Sequence, residues 1–333
     1  MSDSSIYVLI FIVILAVGFG MVNGFNDAAN AIAASIGSRS ISPRNAVILA
    51  AIFNFAGAGT GLAVAKTIGK GIIAPDVITL QTVVAGLGAI IIWGAAATYW
   101  GLPVSITHGL VSGLAAAGAA TAGIEAIQWG VFQRVLTSVV AAPVLGFIGG
   151  FILMVVVFWV FRQSAPERMR IVFSRLQWFT TAFLAYSHGK NDGQMPIGVI
   201  TMALVIYTGN SNLWDNIPFW VIGLSALAIS SGTTIGGWRV IGTLGFKITK
   251  LQPVQSFIAN TSAAMVIEGA SLVGIPVSTT HCASSAIMGV GATRRLSAVR
   301  WGVAGNMVAA WILTFPICGV LGYLLAWLLQ AVF

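Results

Sequence analysis

The sequence predicts an all-α integral membrane protein built of two homologous, inverted repeats with broken helices and short re-entrant hairpins. Three observations carry that expectation. Of 333 residues 58% are hydrophobic and 7% charged, with a mean hydropathy of +0.96, far from the usage of domains that fold in water. The apolar runs approach or exceed the roughly 20 residues needed to cross hydrocarbon. The polar motifs occur twice, in the same order.

The runs lie around residues 6–22, 46–65, 77–100, 131–161, 217–231, 254–277 and 299–333, with shorter apolar stretches between them. A closed barrel needs segments of about 10 residues alternating in polarity, a pattern missing here, so spanning helices are expected. The opening stretch MSDSSIYVLIFIVILAVGFG has neither a cationic leader nor a small-residue cleavage site and reads as a retained first span. Cys282 and Cys318 lie in apolar surroundings and are too few for a disulfide framework.

The net charge of +8 does not point to nucleic acid, because its cations sit in short connectors: Arg39 and Arg44, then residues 162–175, then Arg294, Arg295 and Arg300. That is the positive-inside pattern. It places the N-terminus, with Asp3 as its one charge, outside, and the polar run RQSAPERMRIVFSR in the cytoplasm. The chain then divides into a first transmembrane repeat at 1–161, a basic linker at 162–175 and a second repeat at 176–333.

The duplication shows in four matches. GLPVSITHG ending at Gly109 matches GIPVSTTHC ending at Cys282; Lys66 lies 42 positions before His108, and Arg239 lies 42 before His281. WGVFQRVLTSVVAAPVLGFIGG from Trp129 resembles WGVAGNMVAAWILTFPICGVLG from Trp301, and GFNDAANAI around Asp27 resembles HGKNDGQMPIGVI around Asp192. Duplicated membrane halves hold their substrate where they meet, near the midplane. Inversion, the arrangement expected here, needs an odd number of crossings per half, and the short apolar segments read as re-entrant hairpins.

Asp27 and Asp192 each follow an asparagine in an apolar stretch, where a carboxylate costs roughly 2.5–3.5 kcal/mol. Around them stand Asn23, Asn26 and Asn30 in one half and His188, Asn191 and Gln194 in the other. Gly24, Gly189 and Gly193 are expected to let the helices unwind and free carbonyls, completing a site for a hard monovalent cation. The simpler role, an aspartate capping a helix half, is outweighed by its recurrence in equivalent places.

PVSITHG and PVSTTHC each put a proline, hydroxyls and a histidine at the start of a short helix. Ser105, Thr107, Ser278, Thr279 and Thr280 then stand beside unpaired N–H groups at the positive end of a helix dipole. Two such starts, meeting from opposite halves, suit a tetrahedral oxyanion such as phosphate or sulfate. Close helix packing also explains serines and threonines, but not the repeated motif with its terminal histidine. His108 and His281 either orient these segments or titrate.

Glu125 is expected in a loop, Glu268 lacks a repeat counterpart, and Asp76 and Asp215 sit among turn residues. Lys66 and Arg239 read as snorkelling anchors, and Trp93, Trp100, Trp129, Trp301 and Trp311 as interfacial ones.

GFNDAANA, PVSITHG, SHGKNDGQ and PVSTTHC, in this order over nearly the whole chain, resemble the inorganic phosphate transporter (PiT) family. The resemblance implies a secondary transporter, often dimeric, that brings phosphate into the cell with a sodium ion or proton and needs no other cofactor. It implies that Asp27 and Asp192, with Asn26, Asn30 and Asn191, coordinate cation or phosphate, and that Ser105, Thr107, Ser278, Thr279 and Thr280 line the phosphate site. Asn23 joins the cation set, Asn191 and Gln194 the phosphate set, and His188 the histidines that are structural or titrate; Asp27 and Asp192 would hold the metal if sodium is the coupling ion. Two departures matter: Ile106 stands where the second motif has Thr279, and Met195 with Pro196 follows Gln194.

The expected partners are phosphate, the coupling cation, the bilayer of the plasma membrane and a second copy of the chain, with no nucleic acid. The rival substrates are sulfate or a metal-phosphate complex. A membrane-embedded hydrolase is the remote alternative, since no nucleophile motif accompanies the histidines and aspartates. A passive channel would show a continuous polar lining.

Overall fold

The computed structural model describes residues 3–74 and 77–332; Asp76 lies outside them. Among the described residues no strand forms, and one antiparallel bridge links Ile73 and Ile127. The first half contains α1 (Asp3–Asn26), α2 (Ala28–Gly37), α3 (Pro43–Ala58), α4 (Ala63–Gly71), α5 (Leu80–Trp100), α6 (Ile106–Ala122) and α7 (Trp129–Val160). The second contains α8 (Pro166–Asp192), α9 (Gln194–Thr208), α10 (Phe219–Ile235), α11 (Trp238–Gly242) with a π-turn at Thr243–Lys247, α12 (Pro253–Leu272), α13 (Thr279–Ala292) and α14 (Trp301–Val332).

Sequence chemistry explains the helix boundaries. Ser42, Thr79, Ser105 and Ser278 each accept a backbone N–H three residues on, from Asn45, Thr82, His108 and His281, which satisfies a donor the helix cannot. Proline opens α3, α8 and α12, where its missing N–H costs nothing. α5 stops at Gly101, whose φ of 70° suits glycine.

Helices 6–37, 80–100, 129–160 and 301–332 are long and apolar enough to cross a membrane, and the bent pairs α3–α4 (68°) and α10–α11 (60°) raise the number to six. The basic connectors gather at one end: Ile41, Ile248, Leu251 and Val299 share one apolar cluster, and Arg162 shares a pocket with Gln252. Ile73, Ala126, Trp214 and Ile217 share the other cluster. Loops equivalent in sequence therefore lie at opposite ends: 38–42 against 209–218, and 123–128 against 293–300. The repeats are inverted.

Within each half, α1–α2, α3–α4 and α7, or their counterparts, run from end to end, an odd number. α5 and α6 fold back as a hairpin, with Thr82 near its start 3.2 Å from Thr121 near its close; α12 and α13 enter likewise from the basic end. These hairpins are built of full helices, 21 and 17 residues in the first. The halves interlock, α3 packing on α8, α10 on α1, α7 on α13 and α14 on α6.

In the basic segment 162–175, α8 begins at Pro166, and 161–165 lies outside helix. One expectation needs correction: the helices do not unwind at the aspartates. Asp27 (φ −86°, ψ −32°) and Gly193 (φ −65°, ψ −19°) stay right-handed, and Asp27 N–H and Gly193 N–H still bond the carbonyls four residues back, at 2.8 and 2.9 Å. The glycines serve close packing instead. A Cβ on Gly24 would strike Ile229 O of α10, and one on Gly189 would strike Asn54 O of α3. The real breaks are those in α3–α4 and α10–α11.

Candidate functional site

The two hairpins meet tip to tip in the middle of the molecule. Thr107 Oγ1 donates to Val277 O at 3.3 Å, and Ser105, Thr107, Ser278, Thr279 and Thr280 are all buried. Ser105 and Ser278 accept their capping bonds and keep their own O–H free to donate. The starts of α6 and α13, with their positive dipole ends, thus converge on the two aspartates.

Asp27 lies at the α1–α2 junction, and its side chain makes no cap bond to α2. Its Oδ1 accepts from Thr280 Oγ1 at 2.7 Å, and Thr280 accepts from Asn30 Nδ2 at 2.7 Å. Asn26 donates to Thr98 Oγ1 at 2.6 Å. The remaining oxygens, Asp27 Oδ2 and the Oδ1 atoms of Asn23, Asn26 and Asn30, are buried without a hydrogen-bond partner among the described residues. Unsatisfied buried acceptors cost about 1–3 kcal/mol each; four of them on one helix face suit a cation, and among the described residues Asn23 Nδ2 is the one unpartnered donor beside them.

The second copy is different. Asn191 Nδ2 donates to Asp192 Oδ1 at 2.6 Å and Val277 O at 2.8 Å, and its Oδ1 accepts Val277 N–H at 3.5 Å. Asn191 therefore ties Asp192 to the hairpin tip. Thr279 Oγ1 lies 3.4 Å from Asp192 Oδ2. Gln194, expected on the anion, is turned elsewhere: its Oε1 accepts Val64 N and Ala65 N at 2.9 and 3.1 Å, capping α4 from across the interface, while Nε2 donates to Lys190 O at 2.6 Å. Leu62 before α4 has no capping side chain, which is why the amide is drawn there.

One ligand atom from each of Asp27, Asp192 and His188 lies within 4.8 Å of the others. Two bare carboxylates that close repel strongly in a buried site, so a cation or proton belongs between them. Hydrogen bonding fixes the imidazole. Thr233 Oγ1 donates to Ile229 O, so it accepts from Asn54 Nδ2 at 3.0 Å; Asn54 Oδ1 then faces His188 Nδ1 at 2.8 Å. Nδ1 carries a hydrogen, and Nε2 lies 3.4 Å from Asp192 Oδ2, facing the same space.

His108 and His281 stand behind the tips with ring centroids 4.9 Å apart, His108 stacked on Phe315 and His281 tilted against Trp311. Trp311 is thus internal, its Nε1 donating to Pro103 O at 3.0 Å, and Trp93 donates to Thr314 Oγ1; neither is an interfacial anchor. Lys66 pairs with Asp215 at 3.1 Å, and Arg239 lies 4.5 Å over the Tyr99 ring. Lys190, overlooked in the sequence reading, forms an ion pair with Glu268, both largely buried. Lone opposite charges in two apolar stretches were the signal for it.

The phosphate transporter family's model matches residues 23–170 and again 162–322. The chain belongs to the phosphate transporter family. It is 40% identical over 99% of its length to all of a probable low-affinity inorganic phosphate transporter of Bacillus subtilis (strain 168). It is 40% identical over 95% of both chains to one of Rhizobium meliloti (strain 1021). A solved structure described as the sodium-dependent phosphate transporter superposes on 98% of this chain and 100% of its own with a TM-score of 0.87 at 27% identity. The two matches of the family model repeat the inverted duplication, and relatives named for transport set the hydrolase reading aside: this member of the phosphate transporter family is not an enzyme.

Proposed function

We propose that the chain imports inorganic phosphate across the plasma membrane by symport with a cation, alternating access between the two ends. The observation that carries this reading is the row of buried acceptors at Asn23, Asn26, Asp27 and Asn30 beside converging hairpin tips. A cation entering among them neutralises carboxylates that would otherwise repel an anion, so loading is cooperative. Ser105 and Ser278, whose O–H groups are free, then supply neutral donors with the helix N-termini behind them. Thr107, Thr279 and Thr280 join them as their bonds to Val277 O, Asp192 and Asp27 are exchanged for the anion. Hydrogen phosphate offers an O–H that Asp27 or Asp192 can accept, whereas sulfate does not.

The oxygen-rich set and a solved neighbour described as sodium-dependent favour sodium; a proton is the alternative coupling ion. The clustering of Arg39, Arg44, Arg162, Lys250 and Arg294 at one end favours a cytoplasmic connection at 161–165 and an outside N-terminus. The family resemblance favours a homodimer. Phosphate uptake into proteoliposomes, with sodium and proton gradients imposed separately and sulfate as competitor, tests the reading. Uptake driven by one gradient and indifferent to sulfate is expected. Sulfate entry without phosphate entry would replace the substrate, and equal uptake without either gradient would remove the coupling.

A further inference from the structure

Away from the transport site, the basic end holds a cavity of about 520 Å³ lined by Thr249, Lys250, Arg294, Arg295 and Arg300 among others. Among the described residues none of these four cations enters an ion pair. No acid occurs in 216–267 or 269–333, and Glu167, at the same end, is held by Arg170. Positive-inside topology accounts for cations at this end. It does not account for four of them converging on one cavity beside Thr249, a hydroxyl-bearing residue only 5% exposed.

The walls come from both roots of the second hairpin. Residues 247–252 lead into α12, and 293–300 connect α13 to α14. Arg300 N–H donates to Ile248 O at 2.9 Å, and Gly291 packs on Val299 and Thr249. An anion bridging Lys250 to the arginines would therefore tie together the bases of α12, α13 and α14, while the tip of that hairpin carries Ser278, Thr279 and Thr280. Guanidinium forks match phosphate oxygens in geometry as well as charge, and basic pockets on the cytoplasmic side are natural seats for phosphorylated headgroups.

We propose that this cavity binds a phosphate-bearing anion, drawn from an anionic lipid headgroup or from solution, and that its occupancy stiffens the root of the second hairpin. The site stands independently of the transport reading. Two probes distinguish the sources: inorganic pyrophosphate titrated calorimetrically into detergent-purified protein, and phosphatidylglycerol retention measured by native mass spectrometry after reconstitution in mixed phosphatidylcholine–phosphatidylglycerol bilayers.

In R294Q/R295Q, binding of at least one probe falls about thirty-fold. R294K/R295K keeps most of it, and K70Q at the opposite end changes nothing. Loss confined to phosphatidylglycerol assigns a lipid, and loss confined to pyrophosphate assigns a soluble ligand. Binding of both probes unchanged in R294Q/R295Q overturns the site. Amide exchange over 247–252 and 293–300 slows when the binding probe is present; unchanged exchange overturns the link to the hairpin.

Discussion

Two equivalent seams flank the site, and they are built of opposite materials. Toward the basic end, Ser35 of α2, Gln177 and Thr181 of α8 and Asn260 of α12 form one hydrogen-bonded cluster. Gln177 Nε2 and Asn260 Nδ2 reach Ser35 Oγ at 3.0 and 3.4 Å, and the Ser35 and Thr181 hydroxyls lie 2.5 Å apart. At the repeat-equivalent positions of α9, α1 and α5 stand Ile200, Ile12, Ala16 and Leu87, each at 0% exposure in one apolar cluster.

The duplication preserved the scaffold but not the polarity of the two seams. Opening the apolar seam exposes aliphatic surface at about 25 cal/mol per Å². Opening the polar seam exchanges its hydrogen bonds for those of water at a net cost of about 1 kcal/mol each, and it satisfies Gln177 Oε1, which has no partner among the described residues. The polar seam is therefore the less costly of the two to open.

The sharpest way to break the comparison is at the aspartates themselves. Asp27 faces open acceptors and Asp192 is held by Asn191 and Thr279, yet both carboxylates answer the same charge. Asp27→Asn and Asp192→Asn should each cut cation-driven phosphate uptake about a hundredfold or more, the scale of removing one partner from a buried charged set. Near-normal uptake with unchanged cation dependence in either variant would detach that carboxylate from coupling.

Copying one seam into the other tests their difference directly. Asn260→Leu, the residue of the dry seam, should lower uptake about tenfold by removing hydrogen bonds to Ser35 and Thr181. Unchanged uptake would mean that opening the polar seam has no part in transport. Leu87→Asn buries an amide among aliphatic side chains and should destabilise the protein by about 1–3 kcal/mol, read as a lower thermal unfolding midpoint in detergent.

Much of this was legible in the sequence because duplication doubles every signal. The paired PVS motifs and the paired aspartates located the hairpin tips and the carboxylates before any coordinates. Side-chain partners were not legible. Gln194 looks like a ligand beside Asp192, but its fate depends on Leu62, 132 positions away, leaving α4 uncapped. Gly24 and Gly189 look like hinges, yet the backbones that approach them belong to helices remote in sequence. Cross-half packing decides such roles, and local pattern carries no record of it.

Lys190 and Glu268 show the same limit, since neither has a charged counterpart in the first half. Lys190→Met or Glu268→Gln alone should cost about 1 kcal/mol, between the exposed and buried limits for ion pairs. The double variant should cost less than the sum, and additivity in a double-mutant cycle would show that the pair is not coupled.

The smallest expected effect is the most specific to the asymmetry of the tips. The first hairpin carries Ile106 where the second carries Thr279, and the Thr279 hydroxyl is a long 3.4 Å from Asp192 Oδ2. Thr279→Ile makes the second tip resemble the first and removes one weak neutral donor, worth about 1 kcal/mol or less. It should raise the KM for phosphate up to about fivefold and leave the turnover rate nearly unchanged. Ile106→Thr, the reverse exchange, adds a hydroxyl beside Asp27 and should lower KM if the anion sits between the tips. A collapse of turnover in Thr279→Ile would instead give that hydroxyl a part in moving the hairpin, because an affinity role changes KM alone.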